Sequence, residues 1–301
     1  MRSDLLANRV PPIVQGILPA ERLSLVGGAS GVGKTTWVFP HVLEPIRHGH
    51  PVLGYQTTKA LDYSYVSCDR PLEEAAETLE RIHIPVTPER LFEREDFAIH
   101  GVQPSAWEIV ERAPSPIVFI EGLQAFVNDL NNYQAVSNLC RLCTMTARRV
   151  HKTVLASGHA PKVKVGEGYA DPRSRFGGSA AWAGYSSTMF IIERAQPDIP
   201  ECRERKLLLL PRQAPDQTLY YTLDQSGAFV ISKSPTEAAC EVVLDSLLSA
   251  MPPEFEASRL IELAENRGVS QASLYRWLKT AIDDGKVERI AKGWYRKRSS
   301  N

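Results

Sequence analysis

The stretch Gly28-Ala29-Ser30-Gly31-Val32-Gly33-Lys34-Thr35 fits G-x-x-x-x-G-K-[ST] at every fixed position and directly follows the apolar run Leu23 to Val26. This spacing predicts a strand, a glycine-rich turn and a helix. Gly28, Gly31 and Gly33 leave the backbone free to take positive φ, so that successive N–H groups, those of Ala29, Ser30 and Val32 included, point at one phosphate. Lys34 would reach the terminal phosphate oxygens, and Thr35 would place its hydroxyl on Mg2+. Thr36 closes the cradle, and Thr36 to Val42 is apolar enough to be the helix whose N-terminal dipole faces the phosphates. A plain glycine turn would leave Lys34 and Thr35 unexplained. The stretch therefore reads as a site for a nucleoside triphosphate, ATP with Mg2+.

The rest of the chain bounds what such a site can serve. A length of 301 residues suits a large domain plus a small one, and 43% apolar with 23% charged residues is ordinary for a globular protein with a real core. No run approaches the roughly 18 apolar residues of a membrane helix. The start, Met1-Arg2-Ser3-Asp4, lacks the apolar core of a secretion signal, so a cytoplasmic location and no membrane partner are expected. Five scattered cysteines argue against a disulfide framework and for a reducing compartment. Cys140-x-x-Cys143 lies inside a helical pattern without a second pair and reads as packing rather than metal chemistry. The formal net charge is zero, so any nucleic-acid contact must come from local clustering.

From residue 23 to 231, apolar strand candidates alternate with helical stretches, the pattern of an α/β fold with a mostly parallel sheet. Strands are expected at Leu23 to Val26, Tyr63 to Ser67, Ile117 to Ile120, Thr153 to Ser157, Thr188 to Ile192, Leu207 to Leu210, Leu219 to Leu223 and Phe229 to Ile231. Helices are expected at Leu72 to Ile82, Trp107 to Ala113 and Tyr133 to His151. Residues 1–231 form the first domain and 232–235 a polar linker. Ser234-x-x-Glu237 with Pro235 is a capping box that opens the second domain, 236–301. There a first helix, Thr236 to Ala250, would turn Val242, Val243, Leu247 and Leu248 inward. A second carries Leu260, Ile261 and Ala264 and ends at Gly268. A third is capped by Ser270, buries Leu274, Leu278 and Ile282, and closes at Gly285. Two short strands flank Ala291-Lys292. This order resembles a winged helix-turn-helix, a family that reads DNA with its third helix.

Hydrolysis needs a carboxylate for the metal and a group that activates water. The strand Ile117 to Ile120 ends in Glu121, the context of a metal-holding acid, where aspartate is usual. The strand Tyr63 to Ser67 runs into Cys68-Asp69-Arg70-Pro71, and Thr153 to Ser157 into Gly158-His159-Ala160-Pro161-Lys162. On these residues the first domain, about 10 to 230, resembles the RecA-type ATPases of the RepA-like hexameric helicase branch. That resemblance implies a RecA-like P-loop fold, with Asp69 where the family has a catalytic glutamate. His159 would be the residue that senses the terminal phosphate. The two acids look exchanged, Asp where the family prefers Glu and Glu where it prefers Asp.

The resemblance also implies a ring, a hexamer of identical subunits, whose central channel receives single-stranded DNA. The long loop from Ala160 to about Gly177 would face that channel, with Lys162, Lys164, Arg173 and Arg175 against Glu167 and Asp171, and with Tyr169 and Phe176 as stacking aromatics. A plain surface loop is the alternative. Ring ATPases complete each site with a neighbour's arginine. Arg212, beyond the strand Leu207 to Leu210, is the first candidate here, and Arg175, in a stretch resembling the family's Arg-Gly-Ser-Ser-Ala, is the second. In the second domain Gln271, Ser273, Tyr275, Arg276 and Lys279 form the polar face of the third helix. From Arg267 to Arg298 nine Lys/Arg, Lys292 of the wing among them, face three acids, a net +6. That face suits duplex DNA or a docking protein. The expected function is an ATP-dependent DNA helicase or translocase in the replication of a plasmid, phage or other mobile element. An ATP-gated DNA-binding regulator is the alternative.

Overall fold

A computed structural model describes residues 10–85, 87–159, 173, 176, 179–196, 202–233, 235–267 and 269–298. The chain divides into two compact units, 1–232 and 233–301.

In the first unit the strands that are apolar on both faces are the ones that end up covered on both faces. Each of the central strands β1 (Leu23–Gly28), β2 (Tyr63–Ser67) and β4 (Ile117–Glu121) is buried along its whole length. With β3 (Leu91–Glu93), β5 (Thr153–His159), β6 (Thr188–Arg194), β7 (Glu204–Pro211), β8 (Gln217–Leu223) and β9 (Phe229–Ser232), they form, among the described residues, a nine-stranded sheet in the order β3-β2-β4-β5-β1-β6-β7-β8-β9. The first six run parallel and the last three antiparallel. The fold is thus mixed α/β with a large, mostly parallel sheet, as a RecA-like P-loop protein requires.

Alternation along the strands sends side chains to two apolar cores. Val26, Tyr65, Phe119 and Leu155 face one layer, built on α1 (Lys34–Val38), α2 (Glu44–His48) and α3 (Leu72–Arg81). Leu25, Val66, Ile120 and Ala156 face the other, built on α4 (Ala106–Arg112), α5 (Tyr133–Arg149) and α6 (Ala181–Tyr185). Cys140 and Cys143 are buried in the second core, where burial pushes the Cys140 thiol up to about 12.

Several elements differ from the sequence reading. The helix expected over 36–42 begins at Lys34 and is broken by a π turn, Phe39–Leu43, before α2 resumes. Pro40 has no N–H, and the Glu44 N–H bonds back to the Phe39 carbonyl, five residues away, so the wider turn accommodates the proline. Strand β3 and helix α6 were not expected; both are short and carry no run of β-branched or periodic apolar residues.

The second unit holds α7 (Pro235–Ser249), α8 (Ala257–Glu265) and α9 (Gln271–Asp283), with β10 (Glu254–Glu256), β11 (Val287–Ala291) and β12 (Trp294–Lys297) paired antiparallel in the order β10-β12-β11. Ser270 caps α9 by accepting from the Ser273 N–H at 3.3 Å, and Gly285 takes φ 73° beyond its end. The inward face of α7 is Leu244, Leu247 and Leu248, and Val242 is 70% exposed, against expectation. Residues 244, 247 and 248 share a face at i, i+3, i+4, which leaves Val242 to the far side. Tyr275 is exposed on α9, whereas Trp277 packs against the core. Strand β10, two glutamates around Phe255 directly after Pro252 and Pro253, carries no readable strand signal. The Ser234 capping box and Gly268 lie outside the described residues. Among the described residues no helix is long and apolar enough to cross a membrane.

Candidate functional site

Because β1, β2, β4 and β5 are parallel and adjacent, their carboxyl ends deliver four segments to one edge of the sheet. The register fixes who meets whom: Gly28 lies beside His159, and Ser67 beside Glu121. There a cleft of about 410 Å³ is lined by Gly31, Gly33, Lys34, Thr35, Thr36, Asp69, Arg70, Glu121 and His159, among others. Residues spread from Ser30 to His159 in sequence thus converge at one edge.

Gly31 and Gly33 take φ 70° and 98°, and no atom lies within 4 Å of where a Gly31 Cβ would stand. The loop is therefore an open cradle of backbone N–H groups at the start of α1. Gly28 serves differently from expectation. It is the last residue of β1 and not in the positive-φ region; a Cβ there would lie 2.7 Å from the Ile192 carbonyl oxygen. Close packing, not a left-handed turn, demands glycine at 28. Lys34 Nζ donates to the carbonyls of Gly28 and Ala29 at 3.1 and 3.3 Å. Burial lowers its pKa, opposed by the charges of Glu121 and Asp69.

Glu121 is 5% exposed and accepts from Thr35 Oγ1, from the Tyr65 hydroxyl, and from Arg70 Nε and Nη2 at 2.7 and 3.1 Å. Burial and the Glu121 charge push the Tyr65 phenol upward, so it stays a donor. The buried oxygen pair of Thr35 and Glu121, in contact beside the cradle, is the hard donor set that suits Mg2+.

Asp69 lies against the backbone after Glu121. Gly122 has φ 83°, and a Cβ on it would stand 2.6 Å from Asp69 Cγ, so glycine there lets the carboxylate approach. The Asp69 carboxyl is raised, first by partial desolvation and then by the Glu121 charge, while His159, Arg70 and Lys34 pull it back. His159 is lowered by desolvation and by Lys34, which keeps its imidazole neutral near pH 7. Its backbone is gripped by Gln124, whose Oε1 accepts from the His159 N–H at 2.6 Å and whose Nε2 donates to its carbonyl at 2.9 Å.

Sequence reasoning passed over Arg70, Tyr65, Gln124 and Arg205. Arg205, on β7 and 5% exposed, donates to the Val32 carbonyl at 3.2 Å and so props the phosphate loop from two strands away. Arg70 alone carried a signal, its place beside Asp69. Phe229, on β9, covers Gly33: a Cβ there would meet its ring at 2.7 Å.

Other expected residues lie elsewhere. Arg212 follows β7, whose end pairs with Thr188 at the start of β6, so it sits at the sheet edge opposite the phosphate loop, donating to the Ala183 and Gly184 carbonyls. Arg173 is paired with Asp216 at 2.6 Å. Phe176 is not an exposed stacking ring: it is 1% exposed, pressed onto Gly27 and Gly158 and 5.1 Å from the Trp182 ring. Gly27 and Gly158, paired across β1 and β5, leave a slot that the Phe176 ring occupies, and burying an aromatic there outweighs leaving it in water. Lys162, Lys164, Tyr169 and Arg175 lie outside the described residues. In the second unit Gln271, Tyr275, Arg276, Lys279 and Lys292 are exposed.

No curated protein matches the chain. Residues 6–165 match the model of the AAA_25 family, an AAA domain, a span that covers the phosphate loop, Asp69, Glu121 and His159. With that match over more than half its length and the nucleotide cleft in place, the chain belongs to the AAA_25 family of P-loop ATPases.

Proposed function

We propose that the protein is an ATP-driven DNA motor of RepA-like type, a helicase or translocase that works as a ring of identical subunits in the replication of a mobile element such as a plasmid or phage. The observation that carries this reading is the convergence of Lys34, Thr35, Asp69, Glu121 and His159 in one cleft, with the basic segment 160–175 following directly on His159.

In this reading Lys34 leaves its loop carbonyls to bind the terminal phosphates, and the N–H groups of residues 29–35 orient the chain of phosphates. Thr35 and Glu121 would hold Mg2+, which when bound neutralises charge on the phosphate oxygens. Asp69 orients the attacking water and accepts its proton, one bond shorter in reach than glutamate. His159, neutral, hydrogen-bonds at the terminal phosphate and passes its state to the loop that follows. Arg212 of a neighbouring subunit is the first candidate for the charge that completes the site; in its own chain it stands at the opposite sheet edge, away from the cleft. Single-stranded DNA would lie against Lys162, Lys164, Arg173 and Arg175. Residues 236–301 would act as a winged helix, with Gln271, Arg276 and Lys279 at duplex DNA and Lys292 on the wing.

Hydrolysis measured with and without single-stranded DNA, together with unwinding of a forked duplex, tests this. Wild type should be stimulated and unwind, and Lys34→Ala should do neither. If the two proteins behave alike on forked DNA while duplex binding persists, the motor reading fails. The second reading, an ATP-gated DNA-binding regulator, is favoured by one observation: Glu121 is fully occupied by protein donors, which suits slow turnover.

A further inference from the structure

An ionised carboxylate offers about four lone-pair sites, and the Glu121 side chain uses them all. Oε1 accepts from Thr35 and from Arg70 Nη2 at 3.1 Å; Oε2 accepts from Tyr65 and from Arg70 Nε at 2.7 Å. Holding a divalent cation on this carboxylate, directly or through water, therefore requires a donor to move. Thr35 need only turn its hydroxyl hydrogen away. Tyr65 is 0% exposed on β2, wedged between the rings of Phe39 and Phe119 at 5.3 and 5.7 Å, and has nowhere to go. Arg70 stands just after β2 with 24% of its side chain exposed. Thr35 can free one site on Oε1, whereas Arg70 can leave altogether and so frees one site on each oxygen.

A guanidinium that leaves Glu121 stays in the same cleft, which Lys34 and Asp69 also line. Left there without a partner it would be a poorly hydrated cation, and its planar fork matches phosphate as well as carboxylate. We propose that Arg70 is a phosphate-binding residue that exchanges Glu121 for the terminal phosphate of the nucleotide, so that Glu121 has sites free on both oxygens for a cation when a triphosphate is present to receive the arginine. With a diphosphate, Arg70 keeps Glu121 and the cation is held weakly. The inference rests on the nucleotide reading of the cleft and adds its own-chain arginine and its means of telling ATP from ADP.

The test uses the full chain, with binding of a non-hydrolysable ATP analogue and of ADP measured calorimetrically, and Mn2+ occupancy read by electron paramagnetic resonance. Arg70→Ala should lose about tenfold or more in affinity for the triphosphate, as for one charge-assisted contact. It should keep its affinity for ADP and bind Mn2+ in the presence of ADP several-fold more tightly. Arg70→Lys, which keeps the charge without the fork and guards against misfolding of the alanine variant, should fall between. An equal loss for both nucleotides, or an unchanged triphosphate-to-diphosphate ratio with unchanged Mn2+ binding, would overturn the exchange and leave Arg70 as a prop for Glu121. If wild type itself binds no nucleotide, the reading of the cleft falls and this inference with it. If wild type binds, Lys34→Ala does not, and the Arg70 variants keep the wild-type ratio, only this inference falls.

Discussion

The nucleotide cleft and the exposed face of the C-terminal unit treat charge in opposite ways. In the cleft Glu121 is 5% exposed and answered by four donors, Lys34 is turned onto its own loop, and Asp69 is crowded against Gly122. On α9 and after β11, Arg276, Lys279 and Lys292 stand in solvent. Interactions in a low-dielectric cleft are strong but must be exchanged for others before a ligand is held. Exposed charges bind whatever opposes them, weakly each and subject to salt. A change in the cleft should therefore act all or none, and a change on the C-terminal face should act by increments.

The largest effect is expected at Lys34. Lys34→Ala removes the cation that meets the phosphates and should lower ATP hydrolysis at least about 100-fold, the scale for losing one preorganised charge-stabilising donor; an ATPase assay checks it, and a loss under tenfold would mean that the cleft is not organised as described. Gly122→Ala comes next. At φ 83° the left-handed region costs about 1–2 kcal/mol, and the new Cβ would collide with Asp69, for a total loss of about 2–4 kcal/mol in denaturant unfolding together with loss of hydrolysis. A variant as stable as wild type would show Asp69 free to move aside. On the other region, Arg276→Ala and Lys279→Ala should each weaken duplex binding about three- to tenfold and reduce the slope of log affinity against log salt by roughly one, measured by anisotropy at several salt concentrations. Loss of all binding from either single change would contradict the incremental view.

The smallest effect concerns stability. In the C-terminal unit Glu241 accepts from Lys233 and Lys286, which hold its carboxyl down at about 2, against 4.5 unperturbed. A depressed folded-state value means the stabilisation is present above pH 4.5 and is lost as pH falls toward 2. The three side chains are 30–48% exposed, so their share is small after screening. Glu241→Gln should slightly lower the melting temperature at pH 7 and flatten its fall between pH 4.5 and 2.

Local signals were readable where a short segment states its own physics. The phosphate loop needs its glycines, lysine and threonine within eight residues; the strand ending in Glu121 is a continuous apolar run with a polar end, and those leading to Asp69 and His159 are mainly apolar with a few Ser or Thr. The stripe on α9 follows from helical spacing, and so does most of that on α7, where Val243, Leu247 and Leu248 pack inward as expected and Val242 does not, since one residue turns a helix by about 100°. Phe176 misled for a related reason: an aromatic among basic residues resembles a nucleic-acid platform, and nothing adjacent reveals the glycine slot that buries it.

The amino-acid order sufficed for the nucleotide loop, the alternation of strand and helix, and the charge of the C-terminal segment, because these depend on neighbours along the chain. The tertiary structure alone decided what surrounds Glu121. Thr35, Tyr65 and Arg70 lie 86, 56 and 51 residues from it in sequence, and parallel strands brought them together at one edge. It also decided that Gly28 and Gly122 are glycines of close approach, since only packing can say which atom stands where a side chain would be. Whether an acid is free or occupied depends on distant donors, and no local pattern records them.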